Sequence, residues 1–156
     1  MIRSFLLLGL SLVMLAGCVK EPPLLGTVDL PPPASGAARL YFYREANVND
    51  SVASTRVYLN GQMTGVAYPH GVFYRDLAPG QYKITVDSRE TYPDQFKTIL
   101  VQVGERRFIR IDPIIGITRT AEFQSDPGDT FFVTLVNPQR GAKEAAEQWF
   151  YGGSAP

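Results

Sequence analysis

Between Arg39 and Val136 the chain alternates short β-favouring runs with residue pairs suited to tight turns, a rhythm that fits a layered β structure and little else. The segment Arg39-Leu40-Tyr41-Phe42-Tyr43-Arg44 is dense in residues that suit a pleated surface. Thr55–Leu59 is a second such run, and Asn60-Gly61 behind it tolerates the positive φ of a two-residue hairpin turn, so Gln62–Ala67 returns as its partner. Val72–Leu77 follows, then the turn Ala78-Pro79-Gly80 and the run Gln81–Asp87, in which Tyr82, Ile84 and Val86 alternate with Lys83 and Thr85. Phe96–Val103, Arg106–Asp112, Ile117–Phe123 and Phe131–Val136 extend the pattern. No strand–helix alternation is visible, which disfavours a doubly wound α/β fold and predicts an all-β class. The expected architecture is a small antiparallel β-sandwich with one C-terminal helix.

That helix is expected from Asn137 onward. Asn137 can cap it, and Pro138 suits a first helical turn, where a missing N–H costs nothing. Ala142, Ala145, Ala146, Trp149 and Phe150 share a face at helical spacing, Lys143 and Glu147 can pair opposite, and Gly152-Gly153 ends the element.

The N-terminus reads as a different kind of segment. Met1-Ile2-Arg3-Ser4 is a short positive start, and Phe5–Ala16 is an apolar run of twelve residues. As a helix the run spans ~18 Å against a hydrocarbon core of ~30 Å, too short to cross a membrane but suited to a signal peptide. It ends in Leu15-Ala16-Gly17-Cys18, which resembles the lipobox read by bacterial lipoprotein signal peptidase. That resemblance implies removal of residues 1–17 and acylation of Cys18, each buried methylene adding ~0.8 kcal/mol of membrane affinity. Cys18 is the only cysteine, so no thiol is left for a disulfide or a metal site. Val19 follows it. In a Gram-negative host, lack of Asp at that position favours the periplasmic face of the outer membrane. Residues 18–36, with five prolines from Val19 to Gly36, read as a Pro-rich tether of up to ~55 Å, and residues 37–152 as the folded domain.

Lys+Arg and Asp+Glu both total 15, and loss of Arg3 leaves the mature chain near −1, so no field draws nucleic acid. His70, in Tyr68-Pro69-His70-Gly71, is the only histidine and lacks the partners that a general base or metal site requires. Asp76, Asp87 and Asp112 lie near strand ends and read as turn or surface charges. With no Gly-x-Ser-x-Gly, P-loop or dinucleotide fingerprint, the expectation is a protein that is not an enzyme and uses no cofactor or metal. A binding surface is suggested instead by strand phase. If Leu40, Phe42, Val57, Leu59, Ile109 and Ile111 face inward, then Tyr41, Tyr43, Tyr58, Arg106, Phe108 and Arg110 face the other way. Tyr, Phe and Arg are what interfaces enrich. Two readings stay open: an exposed patch, or a face covered by the C-terminal helix.

The order Arg39–Arg44, Val57-Tyr58-Leu59-Asn60-Gly61-Gln62, Gly71-Val72-Phe73-Tyr74, Leu77-Ala78-Pro79-Gly80-Gln81-Tyr82 and an Ala/Glu-rich helix resembles a family of small bacterial lipoproteins with one domain of unknown function. The resemblance covers roughly residues 38–150, and Val57 to Ile111 is also similar to the PEGA-type β-module of bacterial surface proteins. It implies a transthyretin- or prealbumin-like sandwich fixed to the cell envelope, and it brings no catalytic residues. The polar stretch Arg119–Asp129 departs from the shorter members. The expected role is a membrane-anchored periplasmic module that binds a protein or glycan partner. The alternative is a structural or docking accessory of a larger envelope or secretion assembly.

Overall fold

The computed structural model describes residues 21–45, 53–89, 91–113 and 130–154. Cys18 with its leader, the expected strand Ile117–Phe123 and the stretch Arg119–Asp129 lie outside the described residues. Among the described residues nine strands form two sheets: β1 (Ala38–Tyr43), β2 (Thr55–Leu59), β3 (Gln62–Ala67), β4 (Gly71–Leu77), β5 (Gly80–Val86), β6 (Lys97–Val101), β7 (Arg106–Pro113), β8 (Phe131–Val136) and β9 (Trp149–Ser154). One sheet has the order β8-β7-β1-β4-β9, the other β3-β2-β5-β6. The helix α1 spans Pro138–Ala146. The all-β sandwich with a single C-terminal helix is thus the fold of the described residues.

The hairpin turn forms as expected: Asn60 (φ 50°) and Gly61 (φ 81°) occupy the left-handed region that the turn between β2 and β3 requires. Leu40, Phe42, Val57, Ile84, Ile109 and Ile111 are buried between the sheets, the phase that period-two alternation predicts. Each such side chain contributes about 1.5–3 kcal/mol on leaving water.

Four features differ from the expectations. The first concerns direction: β1 pairs with β7, and β4 with β9, in parallel. Chain β8 runs along one edge of its sheet, α1 crosses the outer face, and β9 lands on the opposite edge. A helical crossover of this kind is what parallel strands need, whereas a hairpin gives only antiparallel pairs.

Second, the helix stops before the aromatics. Asn137 caps α1 by accepting a hydrogen bond from the Gln139 N–H (3.0 Å), and Pro138 opens it. Gly141 and Ala145 are its buried residues, while Ala142 is exposed. Trp149 and Phe150 leave the helical face to begin β9, where the Trp149 N–H reaches the carbonyl of His70 (2.9 Å). The run Trp149-Phe150-Tyr151 favours a strand once the edge of β4 is available, and Gly152-Gly153 continue that strand. On α1 the ion pair four residues apart joins Arg140 to Glu144, not Lys143 to Glu147.

Third, much of the expected tether is docked. A 3-10 turn, Leu25–Thr27, buries Leu25, whose N–H donates to the carbonyl of Gln148 (2.8 Å). The carbonyl of Pro23 accepts from Phe150 (2.7 Å), and that of Pro31 accepts from Arg39 (2.8 Å). Proline keeps its carbonyl as an acceptor, so a Pro-rich segment can be pinned by donors from the domain.

Finally, Asp76 is not a surface charge. It is the direct cross-strand partner of Arg39 in the β1–β4 register, and the two form a buried ion pair, 2.6 Å and 2.7 Å, with side-chain exposures of 3% and 2%.

Candidate functional site

Of the six residues proposed as a binding surface, four are brought together as cross-strand neighbours of β1 and β7, Tyr41 with Phe108 and Tyr43 with Arg110. Tyr41, Tyr43 and Phe108 do point away from the inter-sheet core, but that outer face is covered. With Leu25, Val72, Tyr74 and Ala145 they form a second apolar layer beneath α1 and the 3-10 turn. Tyr41 stacks on Phe108 with centroids 4.9 Å apart. Gly141 lets the helix come close, since an added Cβ there would overlap the ring of Phe108. Tyr58 lies on the other sheet, opposite Met63. Arg106 is exposed at the start of β7. Of the two open readings the covered one holds for Tyr41, Tyr43 and Phe108, which are interior, because the apolar stripe of α1 needs a face to bury and this is the face that it covers.

Arg110 and Tyr43 instead build a polar clamp around α1. The Tyr43 hydroxyl donates to Glu144 Oε2 (2.6 Å), and Arg110 reaches Glu144 (3.2 Å), Glu45 (3.0 Å) and Asp112 (2.6 Å), while Arg140 also binds Glu144. Burial raises the Tyr43 phenol well above its ordinary range, and the adjacent Glu144 carboxylate adds to that. At Glu144 burial pushes the carboxyl upward, but hydrogen bonds from Tyr43 and Arg140 and the charge of Arg110 outweigh it, so the value is lowered. At Asp76 the hydrogen bonds from Arg39 lower the value against burial, helped by the Ala34 N–H. Both carboxyls are thus depressed in the folded state. Their stabilising contribution is complete above the unfolded carboxylate range and is lost as pH falls through the folded values. A melting temperature level from about pH 6 to 8 and falling steeply below about pH 4 is expected, with the acid-side loss reduced in Glu144→Gln. Thermal melts across pH check this; an acid limb of equal depth in the variant would sink it.

His70 sits in the turn before β4 at φ 54°, half-buried. The Gln148 amide donates to the Glu144 carbonyl through Nε2 (2.8 Å), so its oxygen faces His70 Nδ1 (2.8 Å) and Nδ1 is the donor. The ring also packs edge-on against Trp149, 4.5 Å away. Among the described residues no three His, Cys, Asp or Glu side chains cluster as metal ligands.

One concave surface lies where the two sheets open. Strand β3 is an edge of one sheet and β9 of the other, with β4 between them as floor. Two basins run along β3: one of about 310 Å³ lined by Gly65, Tyr68, Phe73 and Tyr151, and one of about 480 Å³ lined by Gln62, Met63, Thr64 and Tyr82. Arg75 lines both and is the only charged residue in either among the described residues. It follows the inward phase of Phe73, over whose ring its guanidinium lies at 5.0 Å, and it donates to the carbonyl of Tyr74 (2.7 Å). It forms no ion pair among the described residues, and burial pulls its value below the ordinary one. A half-buried cation that lacks a carboxylate partner and lines an open groove is suited to an anionic group of a ligand. Both banks are interrupted by register shifts, at Thr64 in β3 and at Tyr151-Gly152 in β9. Such bulges break the ladder that an added strand would need and re-aim side chains instead. Recognition in this groove would therefore run through side chains. Sequence reasoning missed Arg75, although a charge at an inward position between Phe73 and Leu77 was the available signal.

No curated protein shows significant similarity to the chain. The family profile described as a protein of unknown function, DUF2846, matches residues 34–134, a span that takes in β1 to β7 and most of β8. The chain belongs to this DUF2846 family, and the matched span takes in Arg75, β3 and β4 of the groove but not its β9 bank.

Proposed function

We propose that the chain is a lipid-anchored, non-catalytic β-sandwich of the bacterial cell envelope that holds a protein or glycan partner in the groove around Arg75. The anchor reading is supported by the coincidence of a short apolar leader with Leu15-Ala16-Gly17-Cys18. Val19 favours the periplasmic face of the outer membrane in a Gram-negative host. The likeness of the Asn60-Gly61 hairpin and the Pro79-Gly80 turn to PEGA-type modules supports an envelope setting. No helix among the described residues is long and apolar enough to cross a membrane. A binding rather than a catalytic role is supported by how the reactive groups are used: Asp76 is engaged by Arg39, and His70 by Gln148 and Trp149.

The observation that carries the reading is Arg75, a half-buried cation that joins two open basins and has no anion beside it among the described residues. A photo-crosslinking residue in place of Met63, on the groove bank, should form an adduct in cell envelopes that is lost on adding Arg75→Glu. The same residue in place of Leu100, exposed on the far edge strand β6, should not. Absence of an adduct at Met63, or equal adducts at both positions, would reject the groove as the binding site.

A further inference from the structure

We propose that the end of the sandwich carrying Leu24, Tyr68, His70, Trp149 and Tyr151 rests on the lipid headgroups of the membrane that holds Cys18, an inference that rests on the lipid-anchored reading above. The length of chain outside the fold is the first argument. Pro23 already contributes its carbonyl to Phe150 (2.7 Å), and Leu24 forms a bridge with Trp149. Five residue steps separate Cys18 from Pro23 and reach at most about 17 Å. About 6 Å of that is taken up by the headgroup layer itself. This end of the domain therefore cannot stand far from the lipid, whatever path the linking residues take.

The chemistry of the same end is the second argument. Its residues are contiguous: His70 packs on Trp149 at 4.5 Å, Tyr68 on Tyr151 at 4.8 Å, and Gly71 lies against the Tyr151 ring. Leu24, Tyr68 and Tyr151 are exposed at 38%, 42% and 43%, so that three large side chains meet solvent at the same end. The segments Tyr68–Gly71 and Trp149–Gly153 contain no Asp, Glu, Lys or Arg, and the charges of Arg56, Asp87 and Arg89 lie across a separate basin that Tyr68 also lines. Rings with a polar tip and no charge are what the membrane–water boundary favours, because one end is apolar and the other stays hydrated. Placed this way, Tyr68 and Tyr151 close the membrane side of the groove, and Arg75 and Met63 stand above the lipid.

Trp149 is the only tryptophan and serves as the probe. The lipidated protein, purified from membranes, is reconstituted into phosphatidylcholine vesicles bearing a nitroxide either at the headgroup or deep on the acyl chain. Headgroup label should cut Trp149 emission roughly in half, a deep label much less, as expected of side chains lodged in the headgroup boundary. Tyr68→Ser with Tyr151→Ser should restore most of the emission. Emission untouched by either label, with the acyl mass present on Cys18, would overturn this inference and leave the anchor standing. So would quenching that is unchanged in the double variant, because the tether alone would then set the distance. A Cys18 without acyl mass would remove the anchor reading and this inference together.

Discussion

Replacing Tyr43 and Phe108 together by alanine is expected to unfold the domain. Both are buried under α1, Phe108 stacks on Tyr41, and the Tyr43 hydroxyl holds Glu144. Truncating a large buried aromatic costs about 3–5 kcal/mol through lost transfer energy and the cavity left behind. Tyr43→Ala also strips a hydrogen bond from Glu144, which leaves that partly covered carboxylate with Arg110 and Arg140 alone. Two such losses approach the whole stability of a domain, about 5–15 kcal/mol, although neighbouring sites need not add. Circular dichroism melts of the single and double variants measure this. A double variant that melts within a few degrees of the wild type would mean that the helix does not hold this face.

Breaking the Arg39–Asp76 pair is the other change with a large expected effect. Arg39→Ala or Asp76→Ala should each cost about 3–5 kcal/mol, because the surviving charge is left buried without its partner. Replacing both by apolar residues, Arg39→Met with Asp76→Leu, should cost clearly less than the sum of the single changes. Arg39 has a second duty, since it donates to the carbonyls of Pro31 and Pro32 and its guanidinium lies 3.9 Å from the Tyr74 ring. Arg39→Ala should therefore also free the N-terminal segment, read as faster proteolysis within residues 28–36 under conditions where the domain is still folded. Unfolding free energies from denaturant titration within about 0.5 kcal/mol of wild type in both single variants would contradict the role assigned to the pair.

Local signals made most strand positions legible. Thr55–Leu59, Gln62–Ala67 and Phe131–Val136 fall where propensity and turn chemistry place them, because a hairpin is decided by its own few residues. Period-two phase likewise assigned Leu40, Phe42, Ile109 and Ile111 to one side and Tyr41, Tyr43 and Phe108 to the other. Phase alone says which side a residue takes and nothing of what covers that side. β1 is buried at all six positions, so its outward tyrosines were ambiguous until α1 was placed. The Trp149-Phe150-Tyr151 run could satisfy a helical stripe or a strand, and only the free edge of β4 resolved it.

The sequence by itself determined the β class, the hairpin turns, the cap at Asn137 and the inward faces, all of which depend on contacts within a few residues. The tertiary structure decided which strands became neighbours. That choice made a buried pair of Arg39 and Asp76 from positions 37 residues apart, turned half of a Pro-rich segment into packed chain, and laid the helix over the aromatic face. It also opened the groove around Arg75, since β3 and β9 are edges only because of the order in which the sheets assembled. Strand order is set by summed long-range burial and loop closure, which no short stretch of residues encodes.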